Sequence, residues 1–354
     1  MNTIKKTVFK VFDKITQHQS GVDSLVRCLG PIFGKRFLTS GGIENTRAPY
    51  SDLPQSNDLN QTNSRSDIVL LTGRFRSGST LLWNVFRQLD GTTSFYEPFN
   101  ERRWFDPQTR GANVDGTHRQ VNSYWEEYED AEDLAEFYHE DWIRRGLYMD
   151  EGSWDGQMKR YLERMIEHSS GRPVLQFNRI DFRLPWFRHY FPNAKIIHIY
   201  RHPREQWCST LQDISLFGPE DGTIEDFSSA DKFYLRTWVN DLKPHFPFLA
   251  ETSVHPYRHY YWIWKLSYLF GQQYAHHSLC FENLVAQPNQ ELKAVFDLLN
   301  IEIQDWTKIE SIFEKPVTGR WQQYASNEWF RAHESECETV LDAFLGRSDA
   351  TLKS

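Results

Sequence analysis

The stretch Asp67-Ile-Val-Leu-Leu-Thr-Gly-Arg-Phe-Arg-Ser-Gly-Ser-Thr-Leu-Leu-Trp83 constrains the fold more than any other part of the chain. Ile68–Leu71 is a short apolar, partly β-branched run, the pattern of a strand buried on both faces. A loop with Gly73 and Gly78 follows. From Thr80 to Leu89 the spacing turns helical, with Leu81, Val85 and Leu89 on one stripe. Strand, glycine loop and helix make an anion-binding arrangement, because glycines let the backbone approach and the free N–H groups of a helix start point at the anion. The competing reading is a tight turn with a structural role only. Two arginines and two hydroxyls between the strand and the helix argue against it.

Written as a template, Gly73-x-x-x-x-Gly78-Ser79-Thr80 departs from the nucleotide-triphosphate loop GxxxxGK[ST] at one place. Ser79 stands where the lysine that reaches the β- and γ-phosphates belongs. Arg74 and Arg76 bring positive charge into the loop instead. This suits a loop that holds one phosphate-like group with an arginine on it, and it weakens the NTPase reading.

A second stretch has the same form. Ile196–Tyr200 reads as a strand and runs into Arg201-His-Pro203, where proline suits the first turn of a helix. Ser209 lies about two helical turns further on, so it can share a face with the Arg201 end. A third candidate is the short strand Ser94–Tyr96, followed by Glu97-Pro98. In a parallel α/β sheet the C-terminal strand ends face the ligand crevice. Glu97 is therefore expected at the same mouth as the glycine loop, with a surface glutamate in a turn as the bland alternative.

Gly73-Arg-Phe-Arg76-Ser-Gly-Ser-Thr80 together with Arg201-His-Pro-x5-Ser209 resembles the two signatures of sulfotransferases that use 3′-phosphoadenosine 5′-phosphosulfate (PAPS). Phe177–Trp186, Phe191-Pro-Asn-Ala194, Phe281-Glu-Asn-Leu284 and Gly319-Arg320-Trp321 look like later landmarks of that family. The resemblance covers about residues 66–325 and is of the bacterial or carbohydrate type, given the Glu-Pro pair. It implies a three-layer α/β, P-loop-like fold with a central parallel sheet and helical insertions. It also implies that Arg74, Arg76, Ser77, Gly78, Ser79 and Thr80 hold the 5′-phosphosulfate, and that Arg201 and Ser209 hold the 3′-phosphate. Gly319, Arg320 and Trp321 would close over the nucleotide, Arg320 reaching the 3′-phosphate and Trp321 either packing on the nucleotide or anchoring its loop. Arg76 would stabilise charge on the leaving phosphate and Glu97 would be the base. Glu101 is the substitute for Glu97, and His118 the candidate if the base is a histidine. The implied reaction moves a sulfuryl group from PAPS to a hydroxyl of a small molecule, sugar or lipid, with 3′-phosphoadenosine 5′-phosphate (PAP) as product and no metal required. Two rivals stand beside it: a kinase-like NTPase, and a non-catalytic PAP-binding protein.

Composition narrows the partners. The 354 residues carry a net charge of −8, so general attraction to nucleic acid is not expected and local arginines must serve any anion. The four cysteines lie far apart with no CxxC, which points to reduced thiols in a cytoplasmic protein. No stretch is long and apolar enough for a transmembrane helix, unlike the membrane-anchored carbohydrate sulfotransferases. Residues 4–15 are amphipathic, with lysines on the polar side, so peripheral membrane contact is one use for them; docking on the domain or on a partner chain, including a second copy, is another. The expected organisation is an N-terminal helix and linker over 1–65, a sulfotransferase domain over 66–325 and a C-terminal helix and tail over 326–354. Residues 102–170 and 210–260 are expected as acceptor-side insertions. The helical spacing within 122–145, and around 228–243, predicts helices there.

Overall fold

The computed structural model describes residues 65–118, 120–314 and 318–346. The expectations for residues 4–15 and for the linker lie outside them, apart from the linker's last residues. Five strands form one wholly parallel sheet in the order β2-β3-β1-β4-β5: β1 Val69–Thr72, β2 Thr92–Tyr96, β3 Arg172–Phe177, β4 Lys195–Tyr200 and β5 His277–Cys280. All four residues of β1 are buried, as its unbroken apolar run requires of a central strand covered on both faces. Its neighbours pair in register, Val69 opposite Val174 of β3 and Lys195 of β4.

Among the described residues eleven α-helices accompany the sheet. They are α1 Ser79–Arg87, α2 Gly156–Glu167, α3 Leu184–Tyr190, α4 Pro203–Thr210, α5 Leu235–Leu242, α6 Pro256–Tyr274, α7 Phe281–Ala286, α8 Pro288–Leu299, α9 Trp306–Glu310, α10 Arg320–Tyr324 and α11 Asn327–Phe344. Local chemistry sets several boundaries. Pro203, Pro256 and Pro288 open their helices, where a missing N–H costs nothing. Asn300 ends α8 in the left-handed conformation at φ 52°. In α1 the buried face is Leu82, Trp83, Val85 and Phe86, while Leu81 and Leu89 are only partly covered. The helix is packed both by the sheet and by the following insertion, so one stripe does not describe it.

The insertions differ from their expected helices. Residues 122–145 form three short 3-10 turns, Glu126–Tyr128, Glu132–Glu136 and Glu140–Ile143. Side chains pin this backbone to the body: Tyr128 Oη donates to the Tyr96 carbonyl at 2.9 Å and Tyr138 Oη to the Asn100 carbonyl at 2.9 Å. Its acids are not merely a solvated face, since Glu126 and Glu127 both take Arg87 at 2.6 Å. Over 228–243 only Leu235–Leu242 is α-helical. Asp231 accepts the N–H groups of Leu235 and Arg236 at 2.8 and 2.9 Å, and Tyr234 turns left-handed at φ 64°. That cap starts the helix late.

Two apolar clusters divide the interior. One lies on the sheet, α1, α2, α3 and α8. The other gathers Trp207, Phe227, Trp238, Tyr257 and Phe330 from α4, α5, α6 and α11 and the segment between α4 and α5. Arg204 joins α4 to α11 through paired bonds of 2.7 and 2.6 Å to Glu334 and a third of 2.8 Å to Asn327.

Candidate functional site

The loops leaving the C-terminal strand ends surround one cleft of about 690 Å³. The chain leaves β1 toward one edge of the sheet, and later crosses β1 to add β4 and β5 on the other. Such a reversal opens a crevice at the strand ends.

The loop after β1 forms one wall. Its glycines have specific reasons. A Cβ on Gly73 would lie 2.6 Å from the Ile199 carbonyl oxygen and from Ser77 Oγ, and Gly78 has φ 96° with Phe281 Cδ2 2.3 Å from where its Cβ would be. No residue with a side chain fits either place. Gly78 is the N-cap of α1 and supplies no side-chain acceptor. The first N–H groups of α1 therefore need an acceptor from outside the helix. Gly78, Ser79, Thr80 and Leu81 all line the cleft.

The second motif meets the first at Arg76. Arg201, at the end of β4, donates from Nη1 to the Arg76 carbonyl at 3.3 Å. Arg76 Nε donates to Ser209 Oγ at 3.0 Å. The two stretches, distant in sequence, thus share one set of contacts. Arg201 is held over the Phe281 ring at 4.7 Å, and Glu282 approaches its Nε at 3.9 Å. Burial pulls the Arg201 guanidinium below its usual range, with Glu282 opposing. Its Nε and the buried Ser77 Oγ have no hydrogen-bond partner in the protein. Buried polar groups are normally satisfied, so Arg201, which lines the cleft, suits an incoming anion, whereas Ser77 lies off the lining.

The acid stands on the opposite wall. Glu97 follows β2, is 6 % exposed and lines the cleft. Its Oε1 accepts from Asn178 Nδ2. Its Oε2 accepts from Asn100 Nδ2 at 2.6 Å and Arg179 Nη1 at 3.0 Å. A carboxylate has about four acceptor positions, so one remains, on Oε1. Arg179 also takes Glu101 at 3.0 Å, and Tyr234 Oη donates to Glu101 at 2.6 Å. Burial works to raise the Glu101 carboxyl, but the Arg179 charge and the Tyr234 bond outweigh it and hold it below the usual range. Both Glu97 and Arg76 have left-handed backbone, φ 40° and 66°. A non-glycine residue held there costs about 1–3 kcal/mol and is found where surrounding structure imposes it.

Several candidate residues sit elsewhere than the cleft lining, Ser77 and Ser209 among them, Ser209 being joined to it through Arg76. Arg74 turns away: its guanidinium lies 4.3 Å over the Trp238 ring, beside a smaller cavity with Trp207 and Tyr260. It is 5 % exposed, and burial lowers its pKa. Strict alternation would put Arg74 and Arg76 on one side; the turn closed by the Ser77 N–H on the Arg74 carbonyl at 3.1 Å, with Arg76 left-handed at φ 66°, separates them. Gly319, Arg320 and Trp321 also lie off the lining. The Gly319 N–H donates to Glu205 at 2.5 Å, Arg320 donates to the Gln212 carbonyl at 2.8 Å, and Trp321 packs under Arg204 at 5.0 Å. Of the two uses for Trp321, the contacts present are those of an anchor. His118 lines the cleft, with Nδ1 2.6 Å from Tyr124 Oη, and burial lowers its pKa to about 4.

Asn178 was not singled out from the sequence. It is 5 % exposed, accepts from Ser79 Oγ at 2.8 Å and from Gln176 Nε2 at 2.9 Å, and donates to Glu97. It thereby links the glycine loop to the acid. Its signals were its place within the Phe177–Trp186 landmark and at the end of β3, the strand that neighbours both β1 and β2. Arg179 faces the cleft and pairs with Glu97 and Glu101. Arg183 instead serves the fold, bonding the carbonyls of Gly146, Trp142 and Arg145 at 2.9 Å each. Among the described residues no group of three or more His, Cys, Asp and Glu is placed to hold a metal ion, and no helix is long and apolar enough to cross a membrane.

The sequence matches the model of the Sulfotransferase family over residues 69–305. No curated protein matches it. Several solved structures are similar, three sulfotransferases among them. The sulfotransferase domain of the curacin biosynthetic pathway is 16% identical, with 78% of this chain and 90% of that one covered and a TM-score of 0.38. Sulfotransferase STF9 of Mycobacterium avium is 11% identical, with 80% and 77% covered and a TM-score of 0.41. The sulfotransferase domain of the Synechococcus PCC 7002 olefin synthase is 16% identical, with 78% and 94% covered and a TM-score of 0.34.

Proposed function

Because the chain belongs to the sulfotransferase family, we propose that it moves a sulfuryl group from PAPS to the hydroxyl of a small-molecule, sugar or lipid acceptor. The observation that carries this reading is the convergence of both anion motifs and Glu97 on one cleft. The reading takes the protein to be cytoplasmic, where its buried Cys208 and Cys337 stay reduced.

The roles follow from chemistry. The N–H groups at the start of α1, with the Thr80 hydroxyl, take the 5′-phosphosulfate, while the Ser79 hydroxyl, spent on Asn178, holds the loop beside it. Arg201 and Ser209 take the 3′-phosphate and so select PAPS over ATP. The Arg201 Nε, which has no hydrogen-bond partner, fits a site completed by an anion. Glu97 Oε1 receives the proton of the acceptor hydroxyl on its remaining acceptor position. The acceptor oxygen bonds to sulfur as the bond from sulfur to the phosphate oxygen breaks, and PAP leaves. Arg76 meets the charge that grows on that phosphate. Positioning and preorganised charge supply most of the rate. Asn100, Asn178 and Arg179 keep the Glu97 carboxylate in place, so the base does not depend on solvent for its orientation.

The deciding experiment is a thermal shift with PAP, ADP and Mg-ATP at equal concentration. A ligand specific for the native state adds about 2.7 kcal/mol at a hundredfold excess over Kd. The expected result is a rise with PAP alone, weakened in Arg201→Ala as Kd increases about ten- to a hundredfold. A rise with Mg-ATP and none with PAP would overturn the reading. Glu97→Gln should lower turnover by about 10²–10⁴; retention of about a third would remove Glu97 as the base.

A further inference from the structure

We infer that Asp115 competes with the anionic donor for the Arg76 guanidinium, and so sets how tightly the cleft holds donor and product. The inference rests on the PAPS reading of the cleft. Asp115 and Arg76 both line it. Asp115 Oδ2 lies 3.6 Å from Arg76 Nη1 and is, among the described residues, the only carboxylate oxygen within 4 Å of that guanidinium. The other edge of Arg76 is taken by Ser209. A guanidinium presents a limited number of edges, so a phosphate or sulfuryl oxygen approaching Arg76 from the cleft meets Asp115 as the resident anion.

The rest of Asp115 is fixed. Its Oδ1 accepts from the N–H and the hydroxyl of Thr117 at 2.8 Å each, and its own N–H donates to Tyr124 Oη at 2.9 Å. Only Oδ2 is left to face Arg76. Burial works to raise the Asp115 carboxyl, but the Thr117 bonds and nearby positive charge outweigh it and keep it ionised at neutral pH. At 3.6 Å the pair is longer than a charged hydrogen bond of about 2.7–2.9 Å. A donor oxygen at hydrogen-bond distance therefore replaces a looser partner, and the returning carboxylate favours release of PAP. Of the other cleft arginines, Arg179 is bonded to Glu97 and Glu101, Arg102 donates to the Asn113 carbonyl at 2.9 Å, and Arg201 has Glu282 at 3.9 Å, the same carboxylate that holds the His202 N–H at 3.1 Å.

The test is titration calorimetry with PAP on the full chain as wild type, Asp115→Asn, Arg76→Gln and the double variant, each checked by melting, with Asp115→Ser as a second replacement. Asparagine keeps the Thr117 contacts and removes the charge. Asp115→Asn should lower the PAP Kd about three- to tenfold. In the Arg76→Gln background the same change should move Kd by less than about twofold, because the effect runs through Arg76. An unchanged or weaker Kd in Asp115→Asn and Asp115→Ser overturns the inference. So does equal tightening with and without Arg76, which would mark a general field. A folded wild type that gives no heat with PAP overturns the donor reading itself, and the inference with it. PAP binding with a failed cycle overturns the inference alone.

Discussion

Gly78 offers the sharpest test of how this fold builds its anion site. Replacing it with alanine has two separable costs. The backbone at φ 96° is left-handed, which costs an L-residue about 1–2 kcal/mol. The new Cβ would also lie 2.3 Å from Phe281 Cδ2, where ordinary contact begins at 3.4 Å. The ring must therefore retreat by about an ångström. It is 9 % exposed and carries Arg201 over its face, so retreat disturbs both packing and the cation. Overpacking of this kind costs about 1–3 kcal/mol, for a total of about 2–5 kcal/mol. At about 2–4 °C per kcal/mol for a large domain, Gly78→Ala should melt roughly 5–15 °C early and bind PAP more weakly. A double-mutant cycle separates the two costs. Phe281→Ala makes room for the Cβ, so in that background Gly78→Ala should keep only the backbone cost of about 1–2 kcal/mol. The coupling read from urea melts should be about 1–3 kcal/mol. Additive effects, within about 0.5 kcal/mol, would refute the steric argument, since the glycine would then be required by its backbone alone.

Other predictions rest on separate parts of the molecule. Gly271→Ala should destabilise the protein although alanine gains about 0.8–1 kcal/mol of helix propensity. Its Cβ would lie 2.2 Å from Nδ1 of His198, a side chain 1 % exposed between β4 and α6, and a melting curve no lower than wild type would refute this. His198 itself makes stability depend on pH. Burial lowers its pKa from 6.5 to about 4, so the unfolded chain binds the extra proton between those values. The contribution is fully present above pH 6.5 and is lost as pH falls toward 4, about 3 kcal/mol in all; His118, His255 and His276 are lowered likewise, so His198→Gln should reduce the slope of urea-melt stability across that window by one proton, and an unchanged slope would refute the assignment. Arg204→Ala leaves Glu334 without its paired partner and should cost about 3–5 kcal/mol, with hydrogen exchange rising first in α11. Exchange in α11 as slow as in wild type would show that Arg204 does not hold that helix.

How much was legible in the sequence depended on where the physics is local. The strand–glycine loop–helix of 67–89 was readable because an apolar run, two glycines and a helical period lie in one window. The proline start of α4 was readable for the same reason: it depends on the φ of one residue. The helices expected over 122–145 and 228–243 were not formed as expected. There tertiary hydrogen bonds from Tyr128 and Tyr138, and the Asp231 cap, outweigh a local period.

The site divides along the same line. The sequence by itself determined that two anion motifs and an acid stand at strand ends, because residue type, spacing and the parallel-sheet rule suffice for that. The tertiary structure alone decided that Arg201 and Ser209 meet through Arg76, that Arg74 turns toward Trp238, and that Asn178, Arg179 and Asp115 complete the cleft. Those contacts join residues from β2, β3, β4 and the loop of 113–118. Which side chains meet across strands depends on strand order and register, which a linear pattern does not contain.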